Sequence, residues 1–118
     1  MDIGEIIYAM TPSGSITNSQ DWVIYMGHTA KTEFDSTSDW VDVSAMTQVF
    51  SGTVSTNSGV VSILLDTPFS YNGTDNLVIA VDENTSGYDT GSDDFYATSI
   101  LSANRGVLFG FLWEFYLC

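Results

Sequence analysis

The alternation of apolar and polar positions predicts short strands separated by turns. The clearest pair comprises residues 60–65 and 77–81, two apolar runs with Pro68, Asn72 and Gly73 between them. Asn-Gly accepts positive φ at both residues, which marks a tight turn. Proline cannot donate to a ladder, so Pro68 is expected at a strand edge or outside the strand. Two buried strands joined in this way would form the middle of a β-sheet.

Two further strands are predicted in the first quarter of the chain, at residues 3–10 and 21–27. The second is apolar on both faces, because Trp22, Ile24 and Met26 alternate with other large side chains. A strand with two apolar faces is usually interior to a sheet. Trp22 is therefore expected in the core.

The middle of the chain predicts a turn, a strand and a hairpin connection. Ser44 is expected to cap one helical turn that leads into a strand over residues 48–54, with a kink at Ser51 and Gly52. Residues 56–59 then form a hairpin-type connection into the strand at 60–65.

The last third of the chain differs in character. Residues 82–94 are acidic and rich in Gly and Ser, which predicts a long loop, and loops of this length are usually functional or mobile. Residues 95–98 read as a further strand. Residues 107–117 are an almost unbroken apolar and aromatic run, interpreted as a C-terminal strand.

Short strands about ten residues apart, with little helical periodicity, predict an all-β domain. The expected architecture is an antiparallel β-sandwich of jelly-roll or galactose-binding-like type. The chain has 118 residues, of which 44% are hydrophobic and 14% aromatic. This length predicts a single domain over residues 1–118.

The charge balance excludes several classes of partner. Fifteen Asp and Glu face two cations, Lys31 and Arg105, for a formal net charge of −13. Such a surface repels nucleic acid and anionic membranes and attracts divalent cations. No run reaches the length of a membrane span, so no membrane insertion is expected.

The termini carry two further expectations. Cys118 is the single cysteine, so no internal disulfide forms. The first ten residues lack a basic region, so this chain is expected to carry no signal peptide. It is either cytoplasmic or a domain of a longer exported protein.

Several segments together resemble a known kind of module. They include WVIYMGHT at 22–29, DWV at 39–41, LDTPFSYNG at 65–73, NLVIAVDEN at 76–84 and NRG at 104–106. In this order they resemble a β-sandwich module of secreted multidomain proteins from Bacteroidetes-type bacteria, over residues 3–109. The resemblance implies a non-catalytic accessory or adhesion domain at the cell surface or outside the cell. The aromatic ending, residues 110–118, departs from that pattern.

The acidic loop is the first candidate site. Carboxylate oxygens are the ligands that Ca²⁺ prefers, and the candidates are Asp82, Glu83, Asp89, Asp93 and Asp94. The spacing matches no EF-hand loop. A solvated acidic loop without metal is the alternative.

Aromatic side chains in or beside loops are the second candidate site. Carbohydrate-binding sandwiches stack sugar rings on such side chains, and the candidates are Trp40, Tyr71, Tyr88 and Tyr96. For Trp40 the alternative is packing in the core.

The apolar C-terminal run is the third candidate, as a homodimer interface. An exposed apolar strand invites pairing with another chain, and the candidates are Phe109, Phe111, Trp113 and Phe115. A strand buried on both faces is the alternative.

No catalytic constellation is apparent. His28 is the single histidine, and it is expected to be a hydrogen-bonded structural residue because a catalytic histidine needs a nucleophile or metal partner. Carboxylate pairs suited to glycoside hydrolysis arise by chance in so acidic a chain.

Two functional hypotheses follow. The first is an extracellular binding or adhesion module whose loops contact a glycan or a neighbouring domain. The second is a stand-alone oligomeric structural protein that uses its C-terminal strand as an interface.

Overall fold

The computed structural model describes residues 1–9, 20–36, 38–39, 41–57, 59–85, 106–109 and 113–117. These residues contain eight strands and a single 3₁₀ turn, Val43–Ala45. The strands are β1 Asp2–Ala9, β2 Trp22–Thr29, β3 Thr47–Gly52, β4 Thr56–Asn57, β5 Val60–Ser70, β6 Asn76–Glu83, β7 Gly106–Phe109 and β8 Trp113–Leu117. Among the described residues, no helix is long and apolar enough to cross a membrane.

The strands form two antiparallel sheets. One has three strands in the order β1-β5-β4, and the other has five in the order β3-β2-β6-β8-β7. Every pairing between described strands is antiparallel. The prediction of an all-β, antiparallel protein with little helix is therefore confirmed.

One buried cluster draws side chains from both sheets. The three-stranded sheet contributes Ile6 and alternate residues of β5, while the five-stranded sheet contributes inward residues of β2, β3 and β6. Ile24, Met26 and Val61 are completely inaccessible to solvent. Burial of such side chains contributes about 1.5–3 kcal/mol each, so this cluster is the main source of stability in the described residues.

A smaller cluster covers the opposite face of the five-stranded sheet. Val78 and Ala80 of β6 pack there with Phe34, which is 1% exposed and lies between β2 and β3. Tyr25 of β2 packs against the same cluster. β2 and β6 thus carry apolar side chains on both faces, as the sequence predicts for interior strands.

A register shift between β1 and β5 sets which side chains of β1 face inward. The register pairs Glu5 with Leu64 and Ile3 with Phe69, so it shifts between Ile3 and Glu5. Without this shift, strict alternation from buried Ile6 would turn Ile3 outward. Because of the shift, Ile3 packs against the main core cluster.

The expected relation between the strands that flank the corner needs a correction. β5 and β6 do not lie side by side, because β5 is the middle of one sheet and β6 the middle of the other. Pro68 lies inside β5, where the pairing with β1 skips from Leu64 to Phe69. The prediction that Pro68 lies at a strand edge or outside the strand is therefore wrong. Its missing N–H costs no bond to β1, because the pairing skips this part of β5.

The middle of the chain also differs from expectation in detail. The 3₁₀ turn is capped by the Asp42 carboxylate, which accepts from the Ser44 amide at 2.9 Å, and not by Ser44. The irregularity in β3 falls at Val49, which has no partner in β2, rather than at Ser51 and Gly52. The predicted hairpin connection is present, with β4 paired to the start of β5.

The apolar C-terminal run forms two strands instead of one. β8 lies between β6 and β7, and β7 pairs with β8 alone among the described strands. A single strand over residues 107–117 would be longer than the eight residues of β6, whereas β8 alone pairs with Val78 to Asp82. The strand predicted at 95–98 lies outside the described residues.

Candidate functional site

A group of polar side chains surrounds the connection from β5 to β6. We call it the corner cluster; its members are His28, Lys31, Asp39, Tyr71, Asn72, Asp75 and Asn76. β2 ends at this edge of the five-stranded sheet and β6 begins there, with Thr29 opposite Asn76. The sheet therefore brings together residues that are far apart in sequence.

Asn72 organises the turn itself. Its Oδ1 accepts from the amides of Thr74 and Asp75 at 3.0 and 3.1 Å, and its Nδ2 donates to the Asp75 carboxylate at 2.8 Å. This side chain replaces backbone hydrogen bonds that a tight turn lacks. Gly73 follows with φ of 76°, in the left-handed region that favours glycine.

His28 connects the turn to the sheet. Its Nε2 accepts from the Asn72 amide at 3.1 Å. The imidazole stacks on Tyr71 with ring centroids 5.7 Å apart and contacts Phe69 at 5.0 Å. The expected hydrogen bond of His28 is present, and its purely structural role stays a prediction.

Lys31 and Asp39 extend the cluster. The ammonium and carboxylate form an ion pair, and the carboxylate also accepts from the Asp35 amide at 2.9 Å. The Asp35 amide, followed by the Lys31 side chain, holds the pKa of Asp39 below its usual value. Asn76 joins this segment to β6, since its Nδ2 donates to the Lys31 carbonyl at 2.7 Å.

A second polar group lies at the opposite end of β2 and β6. The Asp21 amide donates to Thr85 Oγ1 at 3.0 Å, and the Asn84 amide donates to the Asp21 carbonyl at 2.8 Å. Glu83 Oε1 accepts from the Thr85 amide at 2.6 Å. These bonds fix the point where the chain leaves β6 toward the acidic segment.

The predicted aromatic site is only partly within the described residues. Tyr71 lies in the corner cluster, half-buried, with His28 stacked against it and its hydroxyl donating to the Asp75 carbonyl. Trp40, Tyr88 and Tyr96 lie outside the described residues. A shared sugar-binding surface therefore stays a prediction.

Only some of the predicted calcium ligands lie within the described residues. Asp82 and Glu83 belong to β6 rather than to a loop, and successive strand residues point to opposite faces. Asp89, Asp93 and Asp94 lie outside the described residues, and the described ones contain no cluster of three metal-ligating side chains. Calcium binding stays a prediction.

The predicted interface residues within the described part of the chain lie on the paired strands β7 and β8. Phe109 ends β7, while Trp113 and Phe115 belong to β8, where they pair with Asp82 and Ala80 of β6. Phe111 lies outside the described residues. Three of the four positions thus lie on strands at one side of the five-stranded sheet.

Sequence reasoning missed most of the corner cluster. The Asn72-Gly73 turn was predicted, but the bond from His28 to Asn72 joins residues 44 positions apart. Likewise, 45 positions separate Lys31 and Asn76. No local pattern signals contacts of this range; a prediction that β2 and β6 are neighbours would have found them.

The chain was compared with protein-family models, curated proteins and solved structures, and no match was found in any of the three.

Proposed function

We propose that the two sheets pack face to face as a β-sandwich, with jelly-roll topology as the expected variant, and that the protein is a non-catalytic binding or adhesion module. The shared core cluster supports face-to-face packing, because inward side chains of both sheets meet in it. In such a sandwich, function is carried by loops at the ends of the sheets.

The corner cluster is the proposed binding surface. The observation that carries this proposal is that its exposed polar side chains are held by mutual hydrogen bonds around the half-buried Tyr71 ring. A surface ordered before binding loses little conformational entropy when a ligand arrives. Amide and carboxylate groups beside a tyrosine ring suit the hydroxyls and apolar faces of a sugar.

The proposed setting is extracellular or at the cell surface, within an exported protein. The expectation of an accessory module, drawn from the sequence segments above, motivates this proposal, and a net charge of −13, which favours solubility, agrees with it. The proposed ligand is a glycan, with a neighbouring domain of the same protein as the other candidate.

Retention on insoluble polysaccharides, measured with and without calcium, tests this function. We expect Tyr71→Leu to abolish retention and Tyr71→Phe to preserve it, because only the first removes the ring. Tyr25→Leu is the matched control, since Tyr25 is half-buried on the other cluster. Absence of retention on every polysaccharide in both conditions would contradict the proposal.

Calcium binding is tested separately by the thermal unfolding midpoint. A ligand that binds only the folded state raises the midpoint in a concentration-dependent manner. We expect CaCl₂ to raise it more than MgCl₂ at the same ionic strength, because the two ions then screen charge equally. Equal effects of the two salts on the unfolding midpoint would contradict a calcium site.

The paired strands β7 and β8 support a second candidate function, a structural oligomer. Among the described strands, β7 is the outer strand of the five-stranded sheet, and an unpaired apolar edge favours association. Size-exclusion chromatography with light scattering tests this second function. A monomer at all concentrations would contradict a structural oligomer.

A further inference from the structure

The outward surface of the three-stranded sheet is unusually apolar. We call it the outer face and define it by Glu5, Ile7, Val60, Ser62 and Leu64. Among the described residues four large hydrophobic side chains are exposed, and three of them lie here: Ile7 at 62%, Leu64 at 75% and Val60 at 41%. Single exposed aliphatics are common, whereas three at neighbouring positions of two paired strands make this face a candidate interaction surface.

The register of β1 and β5 arranges this face as a checkerboard. Glu5 lies opposite Leu64 and Ile7 lies opposite Ser62, so apolar side chains occupy one diagonal and polar side chains the other. Ser62 Oγ donates to the Glu5 carboxylate. This bond holds a negative charge between two exposed aliphatic side chains.

The charge of the molecule selects the chemistry of the partner. A second copy of the chain would bring another Glu5 and another net charge of −13 to the same contact. Phosphate-rich surfaces, whether nucleic acid or anionic lipid, are repelled for the same reason. A segment that carries both cationic and aliphatic side chains gains electrostatic attraction from the first and apolar burial from the second.

We infer that the outer face is a docking surface for a segment of another protein that carries Lys or Arg beside aliphatic side chains. The aliphatic side chains cover Ile7 and Leu64, and the cation lies on Glu5, within reach of its carboxylate. In a strand-like segment every second side chain faces the same way, so an aliphatic residue and a cation two positions apart both reach the outer face. The inference concerns a different surface from the corner cluster and holds whether or not that cluster binds a glycan.

Fluorescence anisotropy tests this docking surface with a labelled peptide that carries valine and lysine in turn at every second position and serine between them, so that both types share one face of the extended peptide. We expect the full chain to bind this peptide and not the same peptide with glutamate in place of lysine. The double variant Ile7→Thr with Leu64→Thr should weaken binding by about tenfold or more, because it removes apolar area while placing threonine, which favours strands, at both positions.

Charge variants separate a specific site from general attraction. Glu5→Gln keeps an acceptor for Ser62 and should weaken binding several-fold. Asp21→Asn removes the same charge from an exposed position near the other polar group and should leave binding unchanged. Circular dichroism melts of every variant establish that each one is folded.

Three results would overturn the inference. Failure of the lysine peptide to bind is one, and equal weakening by Glu5→Gln and Asp21→Asn is another, because that shows non-specific attraction. The third is a wild-type dimer, detected by light scattering, that the double variant converts to monomer, since a second copy would then be the occupant.

Discussion

Two exposed glycines have different backbone requirements. Gly73 has φ of 76° in the corner turn, whereas Gly4 has no such angle, and a Cβ added at either would meet no atom within 4 Å. The comparison therefore isolates backbone strain from crowding. The sequence alone does not show which of the two glycines needs the left-handed conformation, because only their neighbouring residues differ.

Gly73→Ala is expected to lower the free energy of unfolding by about 1 kcal/mol, since a Cβ is disfavoured in the left-handed region. Gly4→Ala is the matched control and should be close to neutral. Urea denaturation of both variants measures the difference. Equal effects would show that the turn does not require the left-handed conformation.

The lowered pKa of Asp39 predicts how stability changes with pH. Its carboxylate is stabilised in the folded state by the Asp35 amide and Lys31, so the folded pKa lies below the unfolded one. This contribution is present above about pH 4 and is lost as pH falls through the folded pKa.

Asp39→Asn should therefore destabilise the protein at neutral pH, and its stability should converge with that of the wild type in acid. Unfolding curves at several pH values measure this convergence, with Asp21→Asn as the control because Asp21 makes its hydrogen bonds through the backbone. A constant difference between wild type and Asp39→Asn at all pH values would contradict the assignment.

Gly27 of β2 lies against Met46, in the segment of the chain that leads into β3. A Cβ at this position would lie 3.0 Å from Met46 Cγ and 3.5 Å from its Cα. The segment that enters β3 thus rests directly on β2. A larger residue must push Met46 away.

Gly27→Val is expected to destabilise the protein by about 1–3 kcal/mol through overpacking. Adding Met46→Ala should recover part of this loss, because it removes the atom nearest to the new side chain. A double-mutant cycle of unfolding free energies measures this coupling. Strictly additive losses would show that the two residues do not press on each other.

Phe34 shows how an irregular segment covers a sheet. It is 1% exposed and packs on Val78 and Ala80 of β6. Phe34→Ala should cost about 3–5 kcal/mol, a large part of the stability of a domain this size. Glu33→Ala, at the exposed neighbouring position, should change the free energy of unfolding little. Urea denaturation measures the effect of both substitutions.

The strands show how far sequence reasoning reaches. The two apolar faces of β2 correctly indicated an interior strand, and the Asn72-Gly73 pair correctly located a turn. The same patterns placed β5 and β6 in one sheet, because alternation reports which side chains are buried and not which strand is the partner. The corner cluster was missed for this reason, as it depends on β2 lying beside β6.

At the scale of the whole molecule, charge opposes compactness. Fifteen acidic residues and two cations create self-repulsion that the core must overcome. NaCl should therefore raise the unfolding midpoint as the Debye length falls from about 30 Å at 0.01 M to about 3 Å at 1 M. Equal midpoints across this range, in calorimetry, would show that repulsion is unimportant.

The division of consecutive strands between two sheets underlies every surface described above. Backbone nuclear Overhauser effects test it most directly. We expect contacts that pair Ile6 with Ile63 and Ile24 with Val81, and no ladder of contacts between β5 and β6. A continuous ladder between β5 and β6 would contradict the architecture, and with it the corner cluster and the outer face.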